Sequence, residues 1–287
     1  MVRTTPSADF DAEVARGERF EFGENWSRFL RVVDDERIRE AESSLCQMLG
    51  REDLQGLNFL DVGSGSGLFS LAATRLGAGR VHSFDYDPSS VGCAQELRRR
   101  YGTAGADWTI EQGSALDAGY LGSLGRFDVV YSWGVLHHTG DLWTALATTA
   151  EAVADGGRLF ISIYNDQGPR SHIWRAVKRL YNPLPSAARR PFVVLVMAPR
   201  EALTALASIL RGRPMDYVRA WSDYKRTRGM SRWHDLVDWV GGYPFEVAAP
   251  EEVFDFLRTR GFILDRLKTC RGGLGCNQFV FTRPSTS

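Results

Sequence analysis

The sequence has no excess of charge of either sign. Lys and Arg together number 35, Asp and Glu together number 35, and the formal net charge is +0. Proteins that bind nucleic acids usually have a basic excess or a basic stripe. The balance therefore argues against nucleic acid as the partner, although local basic patches stay open.

Cysteine is scarce, and its spacing is not that of a metal site or a redox motif. The chain has four cysteines in 287 residues, without C-x-x-C spacing. Such cysteines are typical of reduced thiols in the cytosol. Residues 1–18 are polar and acidic and lack the apolar run of a secretory signal. We therefore predict a cytoplasmic protein, and we expect residues 1–20 to be loosely ordered.

The chain also lacks an apolar run of membrane-spanning length at its most apolar segment. The run that begins at Phe192 reaches seven apolar residues before Pro199-Arg200-Glu201 interrupts it. A spanning helix needs about 20 predominantly apolar residues. We predict no membrane span. We expect this segment to be buried in a helical cap or at a homodimer interface between cap helices, in preference to a bilayer surface.

Leu57–Gly67, with the sequence LNFLDVGSGSG, is the segment on which the functional prediction depends. An apolar, β-prone run leads into alternating small residues, and a helical pattern follows from Leu68, which predicts a strand, a tight turn and a helix. Glycines at 63, 65 and 67 allow close approach of a ligand to the backbone. Asp61 ends the strand, where its carboxylate can face a cationic group.

A second acid follows at the spacing of a βαβ unit. The predicted second strand, Arg80–Phe84, ends at Asp85, 18 residues after Gly67. In such units an acid at this place binds ribose hydroxyls. A dinucleotide fingerprint needs G-x-G-x-x-G, but Leu68 stands where its third glycine would be. A different nucleoside-containing cofactor is therefore favoured, and a non-catalytic nucleotide-binding or dinucleotide-binding module is the alternative.

Four motifs in order then resemble those of class I S-adenosylmethionine-dependent methyltransferases, closely over residues 45–165 and more loosely over the last thirty or so. The motifs are Asp61–Gly67, then Asp85, then Phe127–Ser132 with Val135–His138, and then Gly156–Ile161. The resemblance implies an α/β fold with a doubly wound, mostly parallel, seven-stranded sheet whose last strand is antiparallel. It also implies S-adenosyl-L-methionine as the cofactor.

The resemblance and the spacing together identify nine cofactor-binding candidates. Many relatives have an Asp after the glycine at position 113, where this chain has Ser114, so a hydroxyl or the backbone would contact the adenine. Tyr86 either lies against the adenine ring or is a surface tyrosine at a strand end. The candidates are Asp61, Gly63, Ser64, Gly65, Asp85, Tyr86, Ser114, Ala115 and Trp133.

Two adjacent histidines follow the fourth strand, at the sheet edge where ligands bind. Imidazole titrates near neutrality, so His137 or His138 can act as a general base; alternatively, one of them braces the next helix. The segment resembles that of ubiquinone-biosynthesis O-methyltransferases, in which two glutamates and a histidine bind a divalent ion. Here the acidic positions hold Gly134 and His137, so we predict no metal.

The fifth strand leads to polar residues at the same edge. Tyr164 and Asn165 are candidates for binding a polar substrate, and the alternative is ordinary loop chemistry. Residues 168–248 then form an insertion that the core fold does not need. Its periodicity predicts helices over Ile173–Tyr181, Phe192–Leu210 and Tyr217–Trp239.

This insertion contains a cluster of reactive and aromatic side chains between residues 228 and 246. His234 lies four residues before Asp238 on one helix face, so the carboxylate can fix its tautomer and raise its basicity. Arg228 and Arg232 can hold an acidic group, and Trp233 adds an aromatic surface. The alternative is a salt-bridged helix with packing tryptophans. We rank His234 ahead of His138 and His137 as the base.

The predicted organisation has four parts: an N-terminal helical segment (1–50), a cofactor-binding core (51–167), a helical cap (168–248), and a closing helix with two strands (249–287). The predicted function is methyl transfer to oxygen or nitrogen of a small-molecule metabolite or biosynthetic intermediate. A phenol or quinone precursor, a sugar and a natural product all remain open as the acceptor.

Overall fold

Seven strands form one sheet in the computed structural model, which describes residues 6–222, 232–273 and 275–285. The sheet order is β3-β2-β1-β4-β5-β7-β6, and only β7 runs antiparallel to its neighbours. The predicted doubly wound, mostly parallel sheet is confirmed. The strands are β1 (Asn58–Val62), β2 (Arg80–Asp85), β3 (Trp108–Gln112), β4 (Phe127–Trp133), β5 (Val153–Tyr164), β6 (Ile263–Lys268) and β7 (Cys276–Thr282).

Helices cover both faces of this sheet and extend beyond one edge. Several begin at an aspartate that accepts a backbone N–H of the first turn, as Asp87 does from Ser89 and Asp141 from Thr144. The helices are α1 (Pro6–Ala15), α2 (Gly23–Phe29), α3 (Asp35–Leu49), α4 (Leu68–Arg75), α5 (Pro88–Tyr101), α6 (Ala118–Leu124), α7 (Leu142–Glu151), α8 (Pro169–Tyr181), α9 (Ser186–Leu210), α10 (Pro214–Ser222), α11 (Arg232–Gly241) and α12 (Pro250–Arg258).

The core has two apolar layers, one on each face of the sheet. Successive strand residues point to opposite faces. Phe59 therefore packs in the layer that includes Leu45 and Leu71, whereas Leu60 packs in the layer with Leu146 and Val253. All six side chains are fully buried. This packing fixes the strand ends and the loops that follow them.

The N-terminal segment differs from the prediction. Residues 6–15 form α1, and Phe10 is 5% exposed, so the expectation of a loosely ordered stretch over residues 1–20 is wrong for its described part. The part of the predicted N-terminal helical segment that precedes the sheet is two further helices, α2 and α3. The break occurs where Asp34 caps α3 by accepting the backbone N–H of Arg37.

The inserted cap is helical, as predicted, but its helix bounds differ. The predicted helix Phe192–Leu210 begins earlier, at Ser186. The predicted helix Tyr217–Trp239 corresponds to α10 and α11, and residues 223–231 between them lie outside the described part. The cap has its own apolar cluster, formed by Tyr181, Val193, Met197, Leu236 and Val240.

Helix α9 runs without interruption through Pro191 and Pro199 over 25 residues. By length and composition it could cross a membrane, and only 11% of its most apolar window is buried. Val193 and Met197 are buried, but Leu195 is 74% exposed. Pro199–Glu201 does not break the helix, so the argument from a short apolar run against a span does not hold. Of the two predicted environments, burial within the cap is wrong for most of the segment, and a homodimer interface stays a prediction.

Candidate active site

A cavity of about 1010 Å³ lies at the carboxyl ends of the parallel strands. Its walls come from the loops after β1 to β5, from the N-terminal segment before α3 and from cap helices α9 and α11. This is the edge at which doubly wound sheets bind ligands. The cavity is large enough for a nucleoside-containing cofactor and a second molecule.

The glycine loop after β1 forms the floor of the cavity. Gly63, Gly65 and Gly67 all have positive φ, at 75°, 53° and 78°. A Cβ at Gly63 would lie 2.2 Å from the Val135 side chain, and one at Gly65 would lie 2.8 Å from the Trp26 indole. The backbone conformation and the close neighbours both require glycine there. The hydroxyl oxygen of Ser64 has no hydrogen-bond partner among the described residues.

Two carboxylates flank this loop, the buried Asp61 and the partly buried Asp85. Asp61 accepts a hydrogen bond from the Ser70 hydroxyl at 2.5 Å, and Asp85 accepts the Gly65 N–H at 2.8 Å. Burial raises the pKa of Asp61 to about 7 and that of Asp85 to about 6. A cation or a set of hydroxyl donors placed between them would lower both pKa values.

Ser114, Ala115 and Tyr86 line the cavity beyond Asp85. The Ser114 hydroxyl accepts the Leu116 N–H at 3.2 Å and keeps its own hydrogen for another acceptor. The Tyr86 ring makes an edge contact with Phe10 at 5.6 Å between centroids. Tyr86 therefore lines the cavity, but Phe10 of helix α1 also contacts its ring.

The N-terminal segment closes this end of the cavity. The Tyr86 hydroxyl donates to Glu13 at 3.3 Å, and Arg19 pairs with Glu13 at 2.5 Å. The Arg19 guanidinium also lies 4.8 Å from the Tyr86 ring centroid and donates to the backbone oxygen of His138. The sequence analysis missed these residues because α1 has only a weak apolar pattern. The apolar Phe10, which stands among acidic residues, was the one feature of the sequence that could have indicated a buried contact there.

The two adjacent histidines occupy different environments. His137 is fully buried and its Nδ1 accepts the Tyr164 N–H at 3.3 Å, so it braces the end of β5. Burial holds its pKa well below the usual range. His138 lines the cavity, and its Nδ1–H donates to the Pro244 oxygen at 2.5 Å. Burial lowers the pKa of His138 to about 3, so its imidazole is neutral and Nε2 is an acceptor.

Aromatic side chains form the rest of this wall. Trp133, Tyr164 and Trp239 line the cavity, and the Trp239 indole N–H has no hydrogen-bond partner among the described residues. The Tyr164 ring packs against both histidines and against Trp239. The polar candidate Asn165 instead accepts the Asn277 amide at 2.9 Å, outside the lining.

The cap candidates are only partly described. Arg228 lies outside the described residues, as do the side chains of Arg232 and His234. Trp233 packs against the apolar cluster of the cap and does not line the cavity. Asp238 does line it and accepts a hydrogen bond from Asn25. Within the described ranges, no group of three or more His, Cys, Asp or Glu side chains is arranged to hold a metal ion.

Comparison with known proteins agrees with this geometry. Residues 60–159 match the family model described as a methyltransferase domain. The chain is 32% identical over 176 residues to the ubiquinone biosynthesis O-methyltransferase of Methylobacterium nodulans, covering 56% of this chain and 66% of that protein. It is 35% identical over 115 residues to the corresponding protein of Xanthomonas oryzae pv. oryzae, covering 40% of this chain and 46% of that protein. The chain thus spans less than two thirds of these relatives.

Among solved structures, the magnesium protoporphyrin IX methyltransferase of Synechocystis PCC 6803 superposes with a TM-score of 0.51 at 18% identity. The alignment covers 91% of this chain and 94% of that one. At this identity the likeness establishes the fold alone. The cavity walls from the N-terminal segment and the cap lie outside residues 60–159, the part of the chain that the family model matches.

Proposed function

We propose that this chain, which carries a class I S-adenosylmethionine-dependent methyltransferase domain, transfers a methyl group to oxygen or nitrogen of a small molecule. The observation that carries the proposal is the shared cavity. Two carboxylates that favour a cationic ligand and a neutral histidine with a free acceptor nitrogen line the same space. A cationic methyl donor and a protonated nucleophile need those two features side by side.

S-adenosylmethionine fits the residues at the glycine loop. Asp85 and Asp61 keep lone pairs free, for ribose hydroxyls and for the positively charged methionine end respectively. The unpartnered hydroxyl of Ser64 can donate to the cofactor's carboxylate. Ser114, Ala115 and Tyr86 would surround the adenine. The sulfonium supplies an already activated methyl group, so the protein has to align the acceptor and remove its proton.

His138 is our proposed proton acceptor. Its tautomer is set by the Pro244 oxygen, which can only accept, so Nδ1 holds the hydrogen and Nε2 holds the lone pair. Arg19 and Lys178 disfavour a second proton on the ring. Nε2 would orient the nucleophile's hydrogen and take it as the bond to the methyl carbon forms. His234 stays a competing prediction.

The acceptor class follows from the cavity's aromatic wall. Phe20, Phe22, Trp133, Tyr164 and Trp239 line it, and flat rings stabilise flat ligands. We therefore favour a phenol over a sugar. Incubation with methyl-labelled S-adenosylmethionine and panels of phenols, sugars and amines should give labelled product first with phenols. Label transfer to none of the three classes, under conditions where the cofactor binds, would reject the proposed function.

In this proposal each of the four segments predicted from the sequence has a separate role. The 51–167 core would bind the cofactor, and the 168–248 cap would bind the acceptor. The N-terminal segment (1–50) would close over the cofactor, and residues 249–287 would complete the sheet. We place the activity in the cytoplasm, on the basis of the scattered cysteines. We propose that α9 does not span a membrane, because its inner side packs against the cap. A homodimer through the cap remains a prediction.

Cofactor affinity should rise with pH between 5.5 and 7.5. In the free protein Asp61 titrates at about 7 and Asp85 at about 6, so both are largely protonated at the lower limit. A bound cation favours the ionised carboxylates, and binding therefore releases protons. Below the pKa the affinity should change by about tenfold per pH unit per released proton. Calorimetry at several pH values, in buffers of different ionisation enthalpy, measures both effects.

The same titration of Asp61→Asn is the control for this prediction. Asn cannot ionise, so the variant should bind more weakly at pH 7.5 and lose much of the pH dependence. A wild-type affinity that is flat across this range would contradict the assignment of the carboxylates to a cationic ligand.

Turnover should be insensitive to removal of divalent metal. Gly134 and the buried His137 stand where the resembling methyltransferases are expected to have acidic ligands, and neither supplies a carboxylate. Dialysis against EDTA should leave the rate within about twofold of the untreated enzyme, because the sulfonium needs no further activation. Loss of activity that Mg²⁺ restores would overturn this prediction.

A further inference from the structure

Exposed apolar side chains are concentrated on one part of the cap. Of the 15 large apolar residues that are exposed in the described part of the chain, 11 lie in helices α8 to α10. Six belong to α9 alone: Val194, Leu195, Leu203, Leu206, Ile209 and Leu210. Single exposed apolar residues are ordinary, but a contiguous group of this size marks an interaction surface.

The apolar residues of α9 share one side of the helix. At 3.6 residues per turn, Leu195, Leu206 and Ile209 fall within about 60° of one another around the helix axis. The other residues on that side of the helix between Leu195 and Ile209 are proline, alanine and leucine. The opposite side carries the buried Val193 and Met197. Arg200 and Glu201, which lie at mid-helix, line the active-site cavity. The helix is thus anchored on its inner side and apolar on its outer side, so it can lie on a membrane without crossing it.

The segment that contains helices α8 to α10 carries far more positive than negative charge. Residues 169–222 contain ten Lys or Arg and two Asp or Glu, a net charge of +8, so the remainder of the neutral chain carries −8. All ten basic side chains except Lys178 are at least partly exposed. Of the two acids, Glu201 accepts hydrogen bonds from Tyr217 and Trp221, and Asp216 pairs with Arg213.

We propose that the outer surface of α8 to α10 docks peripherally on an anionic phospholipid bilayer. The apolar side of α9 would enter the headgroup region, and the arginines around it would meet lipid phosphates. A homodimer through the cap helices, which the sequence led us to expect in preference to a bilayer, is the less favourable occupant of this surface, because dimerisation would bring +8 against +8. This inference does not depend on the proposed methyl transfer.

Co-sedimentation with vesicles tests the proposal on the full chain. The wild type should bind vesicles of phosphatidylcholine with 30% phosphatidylglycerol at least about tenfold more tightly than pure phosphatidylcholine vesicles, and salt should weaken the difference. Leu195→Glu with Leu206→Glu should reduce binding by about tenfold or more. The matched control is Ile263→Glu with Leu267→Glu on β6, where the same chemistry is exposed outside this surface.

A second variant tests the charge separately and does not depend on the first. Arg170→Gln with Arg213→Gln, which changes two exposed arginines, should weaken binding to anionic vesicles only. Cofactor affinity by calorimetry should be unchanged in every variant, which shows that the fold is intact. Absence of binding to anionic vesicles would overturn the proposal. So would a lipid-free dimer of the wild type that the Leu195 and Leu206 changes convert to a monomer.

Discussion

Replacement of Asp85 by Ala should weaken S-adenosylmethionine binding by about 100-fold, without unfolding the protein. Hydrogen bonds to a charged group contribute about 1.5–3 kcal/mol each, and two ribose hydroxyls would lose their common acceptor. The variant also releases the Gly65 N–H, which Asp85 holds at 2.8 Å, so the loop itself would loosen. Calorimetry with S-adenosylmethionine and with its demethylated product should show similar losses, because both carry the ribose.

Asp128 provides the matched control for this experiment. Its carboxylate accepts the backbone N–H of Asn58 at 2.8 Å, but near the amino-terminal ends of β1 and β4, away from the cavity. Asp128→Ala should therefore lower stability and leave cofactor affinity within about threefold of the wild type. An Asp85→Ala protein that binds as tightly as the wild type would remove the ribose assignment.

Replacement of His138 by Gln should lower the rate of the methyl-transfer step, measured in a single turnover, by about 100-fold or more while cofactor affinity stays unchanged. General-base catalysis typically contributes about 10²–10⁴-fold. Gln keeps a donor for the Pro244 oxygen but cannot take a proton. Because burial holds the pKa of His138 at about 3, the wild-type rate should not fall between pH 8 and pH 5 through protonation of this residue. Methyl transfer to the acceptor found in the panel, followed against pH, measures this.

Two histidine variants distinguish a base on the sheet from a base on the cap. His172→Gln alters an exposed histidine of α8 that does not line the cavity, and it should have no effect. His234→Ala tests the residue that the sequence ranked first. A collapse of turnover in His234→Ala, with normal turnover in His138→Gln, would transfer the proton acceptor to α11.

The parts of the site that could be predicted are those that a short stretch of chain determines. The end of the strand, its acid and the glycine turn all lie within the seven residues Asp61–Gly67. The alternating glycines in the sequence directly indicate a backbone that needs positive φ. The ordered motifs fixed the sheet in the same way. The role of each histidine could not be predicted from its neighbours in the sequence, because contacts with distant residues determine it. His138 is oriented by Pro244, which lies 106 residues away, and His137 by the backbone of β5.

In the N-terminal segment and the cap, too, the sequence pattern did not reveal contacts between residues that are far apart in the chain. Phe10 and Glu13 become part of the site only by contact with Tyr86, 73 residues beyond Glu13, and no local pattern announces that contact. In α9 the apolar run indicated burial, because apolar side chains usually face a core. The structure turns most of them outward: Val193 and Met197 are buried in the apolar cluster of the cap, and Phe192 and Val196 pack against it.

The position of α1 has a consequence for the rate at which the enzyme exchanges its spent cofactor. Phe10, Glu13 and Arg19 line the cavity beside Tyr86 and are joined there by the Arg19–Glu13 pair and the aromatic contact of Phe10 with Tyr86. We expect the demethylated product to leave after these contacts have separated. We expect that separation, and not the chemical step, to limit steady-state turnover when acceptor is saturating. A pre-steady-state burst of methylated product would then precede a slower linear phase. Arg19→Gln, which removes the ion pair with Glu13, would make that linear phase faster.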